Sequence, residues 1–223
     1  MTPADICVVI PVLNEAAGIG LAIESVDGAG QVIVVDGGSR DDTVDVVRRY
    51  SRVTLIQSAA GRGHQLAVGA DQCTASIMLF LHGDCRLERG ALESVAAAIA
   101  GGRDWGAMTQ TIEAAGIRYR LLEAGNALRV RWLGKPFGDQ AVFVRSDLYR
   151  QSGGFEPVPL MEDVRLARRL RLKSRPALVR PGVIVSARRW QRRGVVAQTA
   201  RNWLIQLLHG LGVSPERLAK MYR

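Results

Sequence analysis

The residues of this chain that could do chemistry are polar and acidic side chains placed directly after short apolar runs. Ile6–Ile10 leads into Pro11-Val12-Leu13-Asn14-Glu15, Val32–Val35 into Asp36-Gly37-Gly38-Ser39, and Ile77–Leu81 into His82-Gly83-Asp84. Pro11 has no N–H to give a ladder, so it ends the first run and leaves Asn14 and Glu15 beyond it. Gly37 and Gly38 let the backbone approach a ligand closely, and Asp36 can accept hydrogen bonds from a base N–H or a ribose. A carboxylate in the position of Asp84 can hold a divalent ion against a diphosphate. Gly61-Arg62-Gly63-His64 opens a helical stretch, so Arg62 and the amides beside it are available to phosphate. Each feature alone also has a plain structural reading. Asp-Gly is a turn signal, and His82 can simply be a satisfied histidine at a strand end. Three such ends on alternate elements point to one crevice.

These residues need a frame that brings strand ends together, and the apolar pattern supplies one. Ile6–Ile10, Val32–Val35, Val53–Ile56 and Ile77–Leu81 read as buried parallel strands. Helical spacing fills the gaps over Glu15–Val26, Asp41–Tyr50 and Gly63–Gln72, and Ser39 before Asp41 and Asp42 reads as a capped helix start. Strand–helix alternation of this kind predicts an α/β fold, with a mostly parallel central sheet flanked by helices. Such sheets bind ligands beyond the carboxyl ends of their strands.

The second half predicts a helix over Glu88–Ala100, a strand over Trp105–Glu113 and a basic amphipathic stretch from Ile117 to Trp132. A strand over Ala141–Arg145 and a helix over Glu162–Leu172 follow. Pro176 and Pro181 bracket a short extended piece, Ala177–Val179, ahead of a second, Val183–Val185. A helix over Val195–Leu211 sets Val196, Ala200, Trp203, Leu204, Leu207, Leu208 and Leu211 on one face, a stripe that suits a core or dimer contact better than a membrane anchor. Ser214-Pro215-Glu216 starts a last short helix, with proline at its first position. No internal repeat, low-complexity tract or long linker interrupts the chain.

A length of 223 residues suits one domain over 1–223, and 48% apolar with 23% charged residues is ordinary for a globular protein. Three cysteines without a CxxC pair fit a reduced, cytoplasmic compartment, and the first apolar run is too short for a signal peptide or a membrane span. The net charge of +9 is divided unevenly: residues 1–111 carry 8 basic and 13 acidic side chains (−5), residues 112–223 carry 22 and 8 (+14). The basic half is almost all arginine. Its planar fork suits a phosphorylated ligand, an anionic lipid surface at the inner membrane face, or RNA; arginine-rich coding with solvated surfaces is the bland alternative. Aromatics are only 5%, too few to give RNA bases interleaved stacking platforms, so no nucleic acid is expected as a partner. No GxGxxG follows the first strand and no GxxxxGK[ST] occurs, which excludes dinucleotide and P-loop sites of the usual kind.

The segments PVLNE (11–15), VDGGSRDDT (35–43), GRGHQLAVGA (61–70), LFLHGD (79–84), GDQAVFVR (138–145), GGF (153–155) and MEDVRLARRL (161–170) together resemble the family 2 glycosyltransferases, inverting enzymes of the GT-A fold. The GDQ, MED and ARRW segments are most similar to a bacterial subgroup associated with arsenosugar biosynthesis. The resemblance implies a nucleotide-sugar-binding half over 1–111 and an acceptor-side half, with C-terminal helices, over 112–223. It places Pro11, Asn14, Glu15, Asp36 and Gly37 around the nucleotide and Arg62 beside the donor phosphates. Asp84 matches the last aspartate of the family's DxD motif, the ligand for Mg²⁺ or Mn²⁺. His82 replaces the first aspartate, contributes no negative charge, and is left to contact ribose or water. Asp163 matches the general base, with Glu162 beside it. Asp139 and Gln140, before a strand, are placed to hold sugar or acceptor. Arg189 and Trp190 resemble an RW pair that binds pyrophosphate and stacks, although the glutamine usual three positions earlier is absent.

The implied activity is inverting transfer of a sugar from a nucleotide-diphosphate sugar to an acceptor hydroxyl, the acceptor being unidentified and a phosphorylated or lipid-linked one suiting the basic half. A homodimer is compatible with the apolar stripe. A catalytically silent nucleotide-sugar- or RNA-binding protein is the alternative. A sugar-phosphate nucleotidyltransferase would need a glycine-rich loop with a reactive lysine where Leu13-Asn14-Glu15 stands.

Overall fold

The structure, a computed structural model, describes residues 1–222, the side chains of Arg189 and Tyr222 excepted. In chain order the elements are β1 (Ile6–Val12), α1 (Ile19–Ser25), β2 (Gln31–Asp36), α2 (Thr43–Arg48), β3 (Val53–Gln57), α3 (Arg62–Asp71), β4 (Ile77–Phe80), β5 (Cys85–Leu87), α4 (Ala91–Ala100) and β6 (Trp105–Ile112). The second half adds α5 (Ile117–Leu128), β7 (Val142–Arg145), α6 (Ser146–Gln151), α7 (Glu162–Arg171), β8 (Ala177–Val185), α8 (Arg188–Arg193), α9 (Val195–Gly210) and α10 (Pro215–Tyr222).

Strands β1 and β4 read as unbroken apolar runs because helices cover both faces of the sheet. Ile6, Val8, Ile10 and Val12 of β1 turn toward one core, shared with Ile19, Ile23 and Val47 of α1 and α2 and with Val95 and Ile99 of α4. Cys7 and Val9 turn the other way, onto Leu66, Ala70, Leu166 and Leu170 of α3 and α7. The eight strands lie in the order β3-β2-β1-β4-β7-β6-β8-β5. β3, β2, β1 and β4 run parallel, β7 is antiparallel to both β4 and β6, β8 is parallel to β6, and β5 is antiparallel to β8. The result is a mostly parallel α/β sheet flanked by helices.

Several expectations need correcting. β1 does not end at Pro11. Its pairing with β4 stops at Val9, but its pairing with β2 continues through Pro11↔Val35 to Val12↔Asp36, so the missing N–H costs nothing on the side where no strand remains. β3 is an edge strand and only half-buried. Ser39 does not cap α2; its hydroxyl accepts from Asn14 N (2.9 Å), while Asp41 takes the amide of Thr43 (3.0 Å). The two extended pieces around Pro181 form one strand, β8, whose Gly182 lies so close to the backbone of Thr109 on β6 that a Cβ there would stand 1.9 Å from a carbonyl oxygen. The short elements β5 and α6 were not foreseen. The apolar stripe of α9 is not core: Val196, Ala200, Trp203, Leu204, Leu207 and Leu211 are exposed and only Leu208 is half-buried.

One side chain holds the carboxyl ends of β1 and β2 where the strands part. Gln65 of α3, buried at 3% exposure, donates from Nε2 to both Val12 O and Val35 O (2.8 Å each), and its amide packs on Gly37. An apolar replacement would strip a partner from two buried carbonyls. Gln65→Leu is therefore expected to lower unfolding stability by about 1–3 kcal/mol. Urea denaturation followed by circular dichroism measures this, and an unchanged midpoint would show that the strand ends hold without the amide.

Candidate active site

The loops after β1 and β2 are tied to each other rather than left open. Asn14, at φ 56°, donates its amide to Ser39 and accepts from Arg40 N (2.8 Å) through Oδ1. Glu15 N donates to Thr43 Oγ1 (2.8 Å), and Ala16 N to Asp41 (3.2 Å). Asp36, 1% exposed at the end of β2, accepts from the amides of Gly38 and Ser39. It fixes the turn that opens the loop. Glu15 Oε2 also lies 3.6 Å from Arg188 of α8, joining this loop to the basic half of the chain.

A pocket lies beyond the end of β4. Arg62, His82, Asp84, Asp139 and Asp163 line it with Trp190, and Gln198, Asn202, Ile205 and Gln206 of α9 form its far wall. Asp36, Gly37, Pro11, Asn14 and Glu15 lie outside this wall. One ligand atom from each of His82, Asp84 and Cys85 lies within 4.8 Å of the others. Cys85, overlooked in the sequence, follows Asp84 directly and turns its thiol to within 3.6 Å of Asp84 Oδ1. Asp163 stands across from this group. Gly138 N donates to its Oδ2 (2.6 Å) and Val164 N to its Oδ1 (2.8 Å), which fixes the plane of the carboxylate. Gly138 separates the two sides with backbone alone: a Cβ there would lie 2.9 Å from His82 Nε2 and 3.2 Å from Asp163 Oδ2.

The neighbouring acids of Met161-Glu162-Asp163 point to different places. Met161 takes a left-handed conformation (φ 69°) as α7 begins; Asp163 then lines the pocket while Glu162 turns inward to 1% exposure. Glu162 Oε1 accepts from Arg62 Nε, and its Oε2 has no hydrogen-bond partner among the described residues. Burial raises the Glu162 pKa above the ordinary carboxylate value, opposed by the charge of Arg62 and reinforced by Asp163. Arg62 thus reaches the pocket from an anchored position.

A polar chain supports the opposite rim. Gln110 Nε2 donates to Asp139 Oδ2 (2.8 Å) and Asn126 Nδ2 to Gln110 Oε1 (2.7 Å). Gln140 is wholly buried, and its Oε1 takes bonds from Arg129 (2.8 Å) and Phe137 N (3.2 Å). It supports the loop and lies behind the pocket surface. Arg129 opens a π-helical turn, Arg129–Leu133, with its guanidinium 3.2 Å from the centroid of the Phe137 ring. Burial lowers its pKa to about 10 against the pull of Asp139 and Asp163. Trp190, 8% exposed, lines the pocket, whereas the Arg189 side chain is outside the described residues. Gln65 lay within the GRGHQLAVGA segment without being singled out, and Arg129 and the polar face of α9 had no motif to announce them. Only the polar positions Gln198, Asn202 and Gln206, recurring every four residues, carried a readable signal.

The profile described as "Glycosyl transferase family 2" matches residues 7–146, a span that includes Asp36, Arg62, His82 and Asp84 and stops short of Asp163. Glycosyltransferase AglJ of Haloferax volcanii is 33% identical over 86 residues, covering 37% of this chain and 28% of that protein. The pre-mycofactocin glycosyltransferase of Mycobacterium tuberculosis is 35% identical over 95 residues, 41% of this chain and 20% of the relative. The chain thus matches well under half the length of these curated relatives. Among solved structures, residues 1–349 of S. aureus TarS in complex with UDP-GlcNAc superpose with a TM-score of 0.66 at 19% identity, covering 83% of this chain and 58% of that one. The mannosyltransferase PcManGT from Pyrobaculum calidifontis, in complex with GDP-Man and Mn²⁺, gives 0.64 at 19% identity over the same shares. These likenesses identify the fold.

The buried acid of α7 has a measurable signature. Because the folded-state pKa of Glu162 is raised, the native protein holds a proton that the unfolded chain releases at lower pH. Stability contributed at this site is present below the ordinary carboxylate range and falls as pH rises toward the raised value, by at most about 1.4 kcal/mol per pH unit. Glu162→Gln should flatten that part of the profile. Urea midpoints across acid to neutral pH for parent and variant test this, and superimposable slopes would place the proton elsewhere.

Proposed function

This chain belongs to glycosyl transferase family 2, and we propose that it transfers a sugar from a nucleotide-diphosphate donor to an acceptor hydroxyl with inversion at the anomeric carbon. The observation that carries the reading is the opposition, within one pocket, of Asp163 to His82 and Asp84 across the backbone of Gly138. An inverting transfer needs a base on the acceptor side and charge neutralisation on the leaving-group side.

In this reading the donor lies with its base toward the loops after β1 and β2, where Pro11, Asn14, Glu15, Asp36 and Gly37 shape the surface. The diphosphate lies at Arg62, whose guanidinium Glu162 holds in place. Asp139 faces the sugar or the acceptor, steadied by Gln110, and Trp190 with the wall of α9 borders the acceptor. The acceptor oxygen attacks the anomeric carbon while its proton passes to the Asp163 carboxylate. The bond from the anomeric carbon to the phosphate oxygen breaks, and its electron pair leaves with the nucleoside diphosphate. The amides of Gly138 and Val164 orient Asp163 so that no rotation is needed at that moment.

A divalent ion fits the donor set of the site. Asp84 offers the hard oxygen that Mg²⁺ or Mn²⁺ prefers, and His82 lies close enough to add a nitrogen, whereas the thiol of Cys85 is a soft donor that would not ligate either ion. Such an ion would supply neutralisation of charge on the departing diphosphate. PcManGT, solved with GDP-Man and Mn²⁺, offers a precedent in the same fold. We also read the GDQ, MED and ARRW segments as those of the arsenosugar-associated subgroup, which makes sugar-bearing intermediates of that chemistry the first acceptors to assay.

Two variants test the assignment. Asp163→Asn keeps shape but cannot take a proton at neutral pH, so transfer should fall by about 10²–10⁴-fold with little change in donor affinity. Parallel measurement of nucleoside-diphosphate binding and sugar transfer decides it: transfer at the parent rate would reject Asp163 as base, and lost donor binding would move it to the donor site. Asp84→Asn should abolish stimulation of donor turnover by Mn²⁺ or Mg²⁺ with an unaltered melting temperature. Intact stimulation would exclude Asp84 as ligand.

A further inference from the structure

Helix α9 is inside out. Gln198 and Ile205 are buried, and together with Asn202 and Gln206 they face the pocket. The opposite face consists of Val196, Ala197, Ala200, Trp203, Leu204, Leu207, Gly210 and Leu211. All are exposed, Val196 at 74%, Trp203 at 65% and Leu207 at 61%, and none is polar. A surface helix of a water-soluble protein has the reverse arrangement. A continuous apolar strip of this kind marks an interaction surface.

Charge decides what covers it. Exposed Arg192 and Arg193 end α8 just before the strip begins, and exposed Arg217 and Lys220 lie on α10, which packs on α9 through Leu218 and Ile205. From Ala187 to Tyr222 the sequence holds seven basic residues and one acid, Glu216. A second copy of the chain docking face to face would bring two such basic borders together. An anionic bilayer complements both the apolar strip and its border, with Trp203 suited to the headgroup level.

We propose that α9 is a membrane-surface helix, seated in an anionic lipid interface, and that the acceptor is a hydroxyl carried on a lipid in that surface. The second clause rests on the transfer reading above; the first does not. The geometry links them, since the pocket lies on the far side of the same helix. A helix with its side chains is about 10 Å thick, so the transfer site would stand only about that far above the lipid.

The test is flotation of the purified full chain with vesicles of phosphatidylcholine alone and of phosphatidylcholine mixed with phosphatidylglycerol. Binding is expected to the anionic vesicles, weakened but not abolished at physiological salt because the apolar strip contributes alongside charge. Leu204→Ser/Leu207→Ser should reduce it about tenfold or more at an unchanged melting temperature, since both side chains already face outward. Arg192→Gln/Arg193→Gln should weaken it on anionic vesicles. Vesicle binding unaffected by the leucine pair, or retention matched on heparin, would assign the effect to charge alone and overturn the proposal. So would absence of vesicle binding with a dimer, seen by light scattering, that the leucine pair dissociates, because a second copy would then be the occupant. Donor hydrolysis without vesicles reports the transfer chemistry separately, so either reading can fail alone.

Discussion

The site lies where two parallel strands end, and the buried amide of Gln65 clamps those ends from the helix that covers them. The β1–β2 ladder runs to Val12↔Asp36, with Gly37 N donating to Val12 O (2.9 Å), and Gln65 Nε2 adds a further bond to Val12 O and another to Val35 O. The side chain thus ties α3 to the last carbonyls of both strands. From that stitch follow the position of Gly37, the turn held by Asp36, and the lacing of the next two loops through Asn14, Ser39, Thr43 and Asp41. A surface made of loops is therefore about as fixed as the sheet beneath it. The same helix begins with Arg62, so one element anchors the strand ends and presents the cation.

Arg62 and Glu162 show how the pocket keeps a cation near its place of use. An arginine on an open rim would sample many rotamers and lie mostly in water. Holding it on a carboxylate that is itself buried restricts that freedom, at the cost of burying a charged group with one oxygen unsatisfied. The arrangement is poor for stability and good for position. Arg129 repeats the pattern on the other rim, stacked on Phe137 and bonded to Gln140, where it stiffens the loop that carries Gly138 and Asp139.

Much of the scaffold was legible in the sequence, for identifiable reasons. Strands buried on both faces have to be continuous apolar runs, so β1, β2 and β4 announced themselves. β5 did not, being three residues long with Arg86 at its centre, and α6 was hidden in the run after β7. The strip on α9 read correctly as a face but was given to the core or a dimer contact, because periodicity identifies a face without telling which medium lies against it. Asp84 stood out as a strand-end carboxylate, whereas only the resemblance pointed to Asp163; no spacing rule connects residues so far apart. Gln65, Cys85 and Arg129 escaped because their roles depend on neighbours brought in by the fold. Glu162 and Asp163, adjacent in sequence, looked interchangeable, but the turn of α7 between them buries Glu162 against Arg62 and leaves Asp163 lining the pocket.

The strand order also bears on how the chain comes into being. β7 lies between β4 and β6, and β8 joins β6 to β5, so strands made late fill gaps between strands made early. The acidic and basic halves are interleaved in space and cannot act as separate modules. As the polypeptide leaves the ribosome, the first four parallel strands can associate in order, but β6 must wait for β7, and both β5 and β6 for β8, which is complete only with Val185. During that interval their open edges and the apolar faces beneath them are exposed to other chains. Nascent copies are thus most vulnerable to misassociation, and most dependent on chaperones, while the second half is being translated.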